Sequence, residues 1–127
     1  MPKSVVATQQ APQAIGPYSQ AIRLGNLLFT AGQIPLDPSS GKLVEGDIEQ
    51  QTERVMQNLK AILEAAGSSL DKVVKTTCFL ANLDDFQRFN QVYGQYFTNQ
   101  PPARSTVEVA RLPAGARVEV ECVAECV

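Results

Sequence analysis

Hydrophobic and polar positions along this 127-residue chain change period several times, and each change marks an element. Ser4-Val5-Val6-Ala7 is a short β-prone opening. Gln20 to Leu24 and Leu27 to Gln33 flank Gly25-Asn26, a pair suited to positive φ, which predicts a β-hairpin. From Pro35 to Gly46 periodicity is lost around Asp37-Pro38-Ser39-Ser40-Gly41, the composition of an exposed loop. Ile48, Thr52, Val55, Met56, Leu59, Ile62, Leu63 and Ala66 then recur at steps of three and four. That spacing predicts an amphipathic helix, opened by an Asp47–Gln50 capping box and stopped at Gly67.

Val73 to Leu80, rich in β-branched and aromatic residues, reads as a buried strand. A second helix follows with Asp84 as its expected cap, and Phe86, Phe89, Tyr93, Tyr96 and Phe97 form an aromatic stripe facing the core. Asn90 interrupts that stripe where an apolar side chain would cost less to bury. It is either bonded to nearby backbone or aimed into a pocket. Gln100-Pro101-Pro102 ends the helical region, after which Arg104 to Ala110 and Arg117 to Val127 read as strands joined through Leu112-Pro113-Ala114-Gly115. In the last strand Val118, Val120, Cys122, Ala124 and Cys126 share one face, opposite Arg117, Glu119, Glu121 and Glu125. Alternation makes the two cysteines small core residues and does not separate Glu119 from Glu121.

The order β-β-β-α-β-α-β-β predicts one α+β domain over residues 1–127, with two helices packed on one face of a mixed, mostly antiparallel sheet. With a radius of gyration of about 14 Å, such a domain has little room for a deep private pocket. A cleft shared between subunits is easier to build.

Composition narrows the chemistry. Eleven Lys plus Arg against thirteen Asp plus Glu give a net charge of −2, so there is no basic field to grip a phosphate backbone and nucleic acid is not the expected partner. Apolar runs are too short to span a bilayer, and Met1-Pro2-Lys3-Ser4 is not followed by a signal-peptide core. The absence of His removes Ser-His and Cys-His nucleophiles, imidazole bases and imidazole metal sites together. Three cysteines without a C-x-x-C suit a reducing compartment, which favours the cytoplasm, and no metal is expected. Arg, carboxylate, Tyr, hydroxyl and backbone are left to carry any reaction.

Four segments go further: Ala14-Ile15-Gly16-Pro17-Tyr18-Ser19-Gln20-Ala21, Thr30-Ala31-Gly32-Gln33-Ile34-Pro35, Val74-Lys75-Thr76-Thr77-Cys78-Phe79-Leu80 and Pro102-Ala103-Arg104-Ser105-Thr106-Val107-Glu108-Val109. Together with Val118-Glu119-Val120-Glu121 they resemble the Rid (YjgF) family of reactive intermediate deaminases, over about Ala7 to Ala124. The resemblance implies a chorismate-mutase-like fold, a homotrimer with sites in the clefts between subunits, and hydrolysis of 2-aminoacrylate, 2-iminopropanoate and 2-iminobutanoate to 2-keto acids and ammonia. It implies no cofactor.

Residue by residue, the resemblance makes Arg104 the carboxylate clamp, a role its planar five-donor fork suits better than Lys would. Spacing alone would make it a surface Arg paired with a neighbouring Glu. Glu119 matches the glutamate that holds the attacking water, Tyr18 a tyrosine lining the site, and Asn90 a position lining the cleft. Gly32 lets backbone approach the ligand closely, and Thr106 offers a main-chain carbonyl. Ala31 stands where many relatives have Ser, and Thr106 where others have Cys, so altered affinity is expected rather than lost activity. Two other readings compete: a non-hydrolytic binder of small carboxylates or keto acids, and an RNase, which the acidic balance and missing His disfavour.

Overall fold

The structure, a computed structural model, describes residues 2–127. Strands β1 (Ser4–Val6), β2 (Ala21–Leu24) and β3 (Leu27–Thr30) precede helix α1 (Ile48–Ala65), strand β4 (Val73–Leu80), helix α2 (Phe86–Tyr96), and strands β5 (Ala103–Glu108) and β6 (Val118–Glu125). They form a six-stranded sheet in the order β1-β2-β3-β6-β4-β5. Only β4 and β5 run parallel, joined by the α2 crossover that parallel neighbours require; the other pairs are antiparallel. The element order is the one expected from the sequence. The hairpin turns at Gly25, whose φ is +60°.

In α1, Gln50 Oε1 accepts from Asp47 N at 2.8 Å, making the expected return bond of the capping box. The cap of α2 differs from expectation. A 3-10 turn, Leu83–Asp85, precedes the helix; Asn82 caps that turn, its Oδ1 accepting Asp84 N at 2.9 Å, and Asp85 rather than Asp84 stands at the N-cap of α2, without a side-chain cap bond. Both helices pack on one face of the sheet. Val118, Val120, Cys122 and Ala124 of β6 are buried there, against Leu28, Cys78 and Leu80 of the neighbouring strands and Val55, Met56, Leu59, Ile62, Leu63 and Phe89 of the helices. The cysteines are free and buried, as alternation required.

Among the described residues the opposite face carries no helix. Register places Val5, Ile22, Leu24, Leu27, Phe29, Phe79, Val107 and Val123 on it, and Val5, Leu24, Leu27, Phe29 and Val107 are 42–64% exposed. Such an apolar patch is unusual for a free monomer surface. Among the described residues no helix is long and apolar enough to cross a membrane.

Candidate functional site

Glu119 lies on the open face of the central strand β6, opposite Phe79 of β4. Five residues of chain, Phe29 to Gln33, run against four on β6, Val123 to Val120, because β3 leaves the ladder at Thr30-Ala31-Gly32 in a bulge-like step before Gln33 pairs again with Val120. Thr30 Oγ1 takes the place of a ladder carbonyl by accepting Cys122 N at 3.0 Å. The step sets Gly32 over Glu119. A Cβ on Gly32 would overlap Glu119 Oε2 and come within 2.8 Å of Cδ, so the close approach this glycine permits is that of Glu119's own carboxylate. Its φ is not positive; the requirement is for space.

Glu119 is half-buried and Glu121 exposed, so burial makes the distinction that alternation left open. Burial pushes the Glu119 carboxyl above the ordinary range, and the neighbouring charge of Glu121 adds to the rise. Tyr18, Gly32, Gln33, Pro113 and Glu119 line one cavity of about 370 Å³. Tyr18 is 50% exposed, and its hydroxyl accepts Ile15 N at 3.3 Å.

Three buried polar side chains that hydrophobic periodicity passes over hold this cavity in shape. Gln20 accepts Thr8 N at 2.6 Å and donates to Thr8 O, Ala11 O and Pro12 O at 3.0, 3.3 and 2.7 Å, pinning the incoming loop. From α1, Asn58 donates to Ile34 O and Leu36 O, and Gln51 accepts Arg117 N at the entrance of β6. The one signal for them in the sequence is a polar residue on the apolar face of a helix, or next to a strand, where burial leaves carbonyls to be satisfied.

Arg104 lies elsewhere. On the sheet edge β5 it pairs with Thr76 and points to the helix side, the face opposite Glu119. Its guanidinium carbon stands 4.9 Å from the ring centroid of Tyr93, 5.3 Å from that of Phe86 and 5.9 Å from that of Phe89. Nη1 donates to Asn90 Oδ1 at 2.7 Å. Asn90 therefore bonds the Arg104 side chain rather than nearby backbone, and the aromatic stripe serves both the core and this guanidinium. Tyr93 is anchored in turn to Thr76 by a 2.7 Å hydroxyl pair, and burial pushes its phenol above the ordinary range. Among the described residues no carboxylate approaches Arg104 within 4 Å; the ion pairs found are those of Arg88 with Asp47 and Glu49. The surface pairing with a Glu that spacing alone would give does not form. Thr106, two residues on, lines a shallow groove with Leu83, Phe86 and Arg104, and its buried Oγ1 has no partner.

The six candidate residues thus form two groups within one chain. Arg104, Asn90 and Thr106 lie on the helix side of the sheet edge; Tyr18, Gly32 and Glu119 surround a cavity on the other face. A charge-bare guanidinium set on aromatic rings can receive a carboxylate, and a half-buried carboxylate over a glycine can orient water.

Fold and site define an α+β protein whose guanidinium and carboxylate groups lie on opposite faces of the sheet and do not meet within one chain. Residues 8–126 match the family model described as Endoribonuclease L-PSP. A RutC family protein of Pyrococcus abyssi is 55% identical over 98% of both chains. The mouse 2-iminobutanoate/2-iminopropanoate deaminase is 46% identical over 96% of this chain and 90% of its own. A crystal structure of a Rid-family protein from Yersinia pestis superposes with a TM-score of 0.95 at 51% identity, covering 98% of this chain and 99% of that one. The chain belongs to the Rid (YjgF) family.

Proposed function

We propose that the protein is a hydrolytic deaminase of reactive 2-enamine and 2-imino acids, with 2-aminoacrylate, 2-iminopropanoate and 2-iminobutanoate as substrates, acting at sites assembled between copies of the chain. Arg104 of one copy binds the substrate carboxylate bidentately, while Tyr18, Gly32 and Glu119 of the next close the site from the other side. The enamine tautomerises to the imine. Water held by Glu119 and the Thr106 main-chain carbonyl adds to the C=N carbon, Glu119 takes the water's proton and passes it to nitrogen, and C–N cleavage releases ammonia and leaves the 2-keto acid. Such imines hydrolyse unaided, so orientation and charge placement suffice and no cofactor is needed.

The observation that carries this reading is the separation of two complementary half-sites on opposite faces of one sheet. The uncovered apolar face supports an assembly, which we take to be a homotrimer. Three buried, unpaired thiols suit a reducing compartment, and we place the reaction in the cytoplasm. Purified protein added to a threonine dehydratase reaction is expected to speed 2-ketobutyrate release, and Arg104→Ala to abolish the effect. No acceleration by the wild-type protein overturns the assignment.

A further inference from the structure

Thr76 is fully buried on the helix side of β4, a position where alternation calls for an apolar side chain, and Tyr93 is buried above it. Their hydroxyls lie 2.7 Å apart. A valine and a phenylalanine would fill the same space with no polar group to satisfy, and replacing both partners of a buried hydrogen bond by apolar groups of like shape costs a fold little. Stability therefore does not account for the pair.

Its neighbours do. In the parallel register of β4 and β5 the residue beside Thr76 is Arg104, and of the three rings around the Arg104 guanidinium that of Tyr93 stands nearest, at 4.9 Å. The three side chains close a circuit, from strand neighbour to hydroxyl pair, from hydroxyl to ring, and from ring back to cation. A flexible arginine side chain needs such a hold. Among the described residues Asn90 takes the one hydrogen bond the guanidinium makes, and no carboxylate lies within 4 Å of it. Ring faces supply the rest. Phe89 is fixed by complete burial, but a buried ring that carries a hydroxyl turns toward whatever satisfies that group. Thr76 sets the direction, because its β-branched side chain is stiff at χ1 and its strand is paired on both sides.

We infer that Thr76 is a positioning residue: through the Tyr93 hydroxyl it fixes the ring on which the Arg104 guanidinium rests, and so aims that guanidinium at the substrate carboxylate without touching substrate itself. The inference rests on the deaminase reading above, which gives Arg104 its ligand. Remove the Thr76 hydroxyl and the phenol is left buried without a partner. The ring then turns to find one, the guanidinium loses the face it was set against, and the carboxylate is captured by a cation that is no longer pre-oriented.

Thr76→Val removes the hydroxyl and keeps the shape. With 2-iminobutanoate generated in place by an amino-acid oxidase, KM is expected to rise about five- to tenfold and kcat to change by less than about twofold. NMR reads the same event without substrate: the Arg104 Nε–H proton, shielded over the rings, is expected upfield in the wild-type protein and to move back toward the position of solvent-exposed arginines in Thr76→Val. Thr76→Ser keeps the hydroxyl and is expected to keep both values. Tyr93→Phe removes the other partner and is expected to reproduce Thr76→Val, and the double variant to be no worse than either, since all three lack one and the same bond. A Thr76→Val protein with a lowered melting temperature but wild-type KM and Arg104 resonance overturns the inference, as do additive losses in the double variant or loss of the wild-type values in Thr76→Ser. Should Thr76→Val not fold, Tyr93→Phe carries the same two readouts. If the wild-type protein does not hydrolyse the imine, the deaminase reading fails by itself, and the Arg104 resonance in the variants decides the positioning: an unmoved resonance overturns it.

Discussion

Replacing Gly32 with alanine adds one methyl group where Glu119 keeps its carboxylate. The new Cβ would overlap Oε2 and stand 2.8 Å from Cδ and 3.1 Å from Cγ, against the ~3.5–4.0 Å of comfortable carbon contacts. Either backbone or carboxylate must yield. The side chain is half-buried and flexible at its far end, so it withdraws by roughly 1 Å or more while the β3–β6 backbone bonds, Gln33 N to Val120 O at 2.9 Å and the reverse at 3.1 Å, stay in place. The fold therefore loses little. With φ at Gly32 outside the positive region, the alanine also removes unfolded-state entropy worth about 0.4–1 kcal/mol. Thermal stability is expected to stay level or rise slightly.

Activity is expected to move the other way, since a misplacement of about 1 Å can cost about 10²-fold in rate. pH dependence separates displacement from collapse. Burial raises the Glu119 pKa in the folded protein, so a rate that needs the carboxylate ionised climbs through a pKa above the ordinary one. Pushed toward solvent by the added methyl group, the carboxyl titrates lower and the acidic limb shifts to lower pH. Stability carries the opposite sign: between the ordinary and raised pKa the folded state holds a proton that the unfolded state has lost, so stability falls as pH rises through that window. In Gly32→Ala that fall shrinks. Calorimetric melting and kcat/KM across pH 4–8 test both. A variant with wild-type rate and an unmoved acidic limb refutes the argument that Gly32 exists to seat Glu119.

Other expectations follow from the same contacts. Arg104→Lys keeps the charge but loses the guanidinium's contact over Tyr93 and its bond to Asn90, and kcat/KM for imine hydrolysis is expected to fall about 10–100-fold with the melting temperature little changed. Gln20→Ala strands the Thr8 N–H and the carbonyls of Thr8, Ala11 and Pro12; it is expected to cost about 2 kcal/mol, roughly 8 °C in Tm, and to expose the loop before β2 to limited proteolysis. Burial pushes the Cys78 and Cys122 thiols up to about 11, and Cys126 is buried with its Sγ donating to Ala66 O, so a disulfide reagent at pH 8 is expected to label the native protein slowly and all three cysteines once it is denatured. Rapid labelling of any native thiol would contradict the packing.

Local chemistry made much of the fold legible. Alternation along Val118–Cys126, the three-four spacing of α1 and the Gly25-Asn26 turn each state a short-range preference, and the structure keeps all three. What alternation does not encode is order across the sheet. That the last strand lies in the middle, between β3 and β4, depends on pairings between residues far apart in sequence, such as Phe29 with Val123 and Cys78 with Val120. The cap of α2 departs from spacing for a related reason: Asp84 falls inside the intervening 3-10 turn, which Asn82 caps, and the N-cap position of the helix passes to Asp85. Gln20, Gln51 and Asn58 were invisible to periodicity because their partners are loop carbonyls and amides, groups every sequence contains and no pattern marks.

The candidate site shows the same limit in sharper form. Arg104 and Glu119 are identifiable by motif, yet motif says nothing about which face of a sheet each occupies. Strand parity does: Arg104 shares its side with Thr76 and the α2 rings, while Glu119 shares its side with Phe79 and the uncovered apolar patch. A rotamer change cannot carry a side chain through a hydrogen-bonded sheet, so no motion within one chain unites them. Chemistry that needs both requires a second chain, and the patch that a neighbour would cover lies on Glu119's side. A mixed assembly tests this directly: Arg104→Ala and Glu119→Ala chains, each inactive alone, are expected to regain part of the wild-type activity after being unfolded and refolded together, because some sites then receive both native halves. No recovery from a mixture shown by native mass spectrometry to contain hybrid oligomers would place the two residues in separate functions.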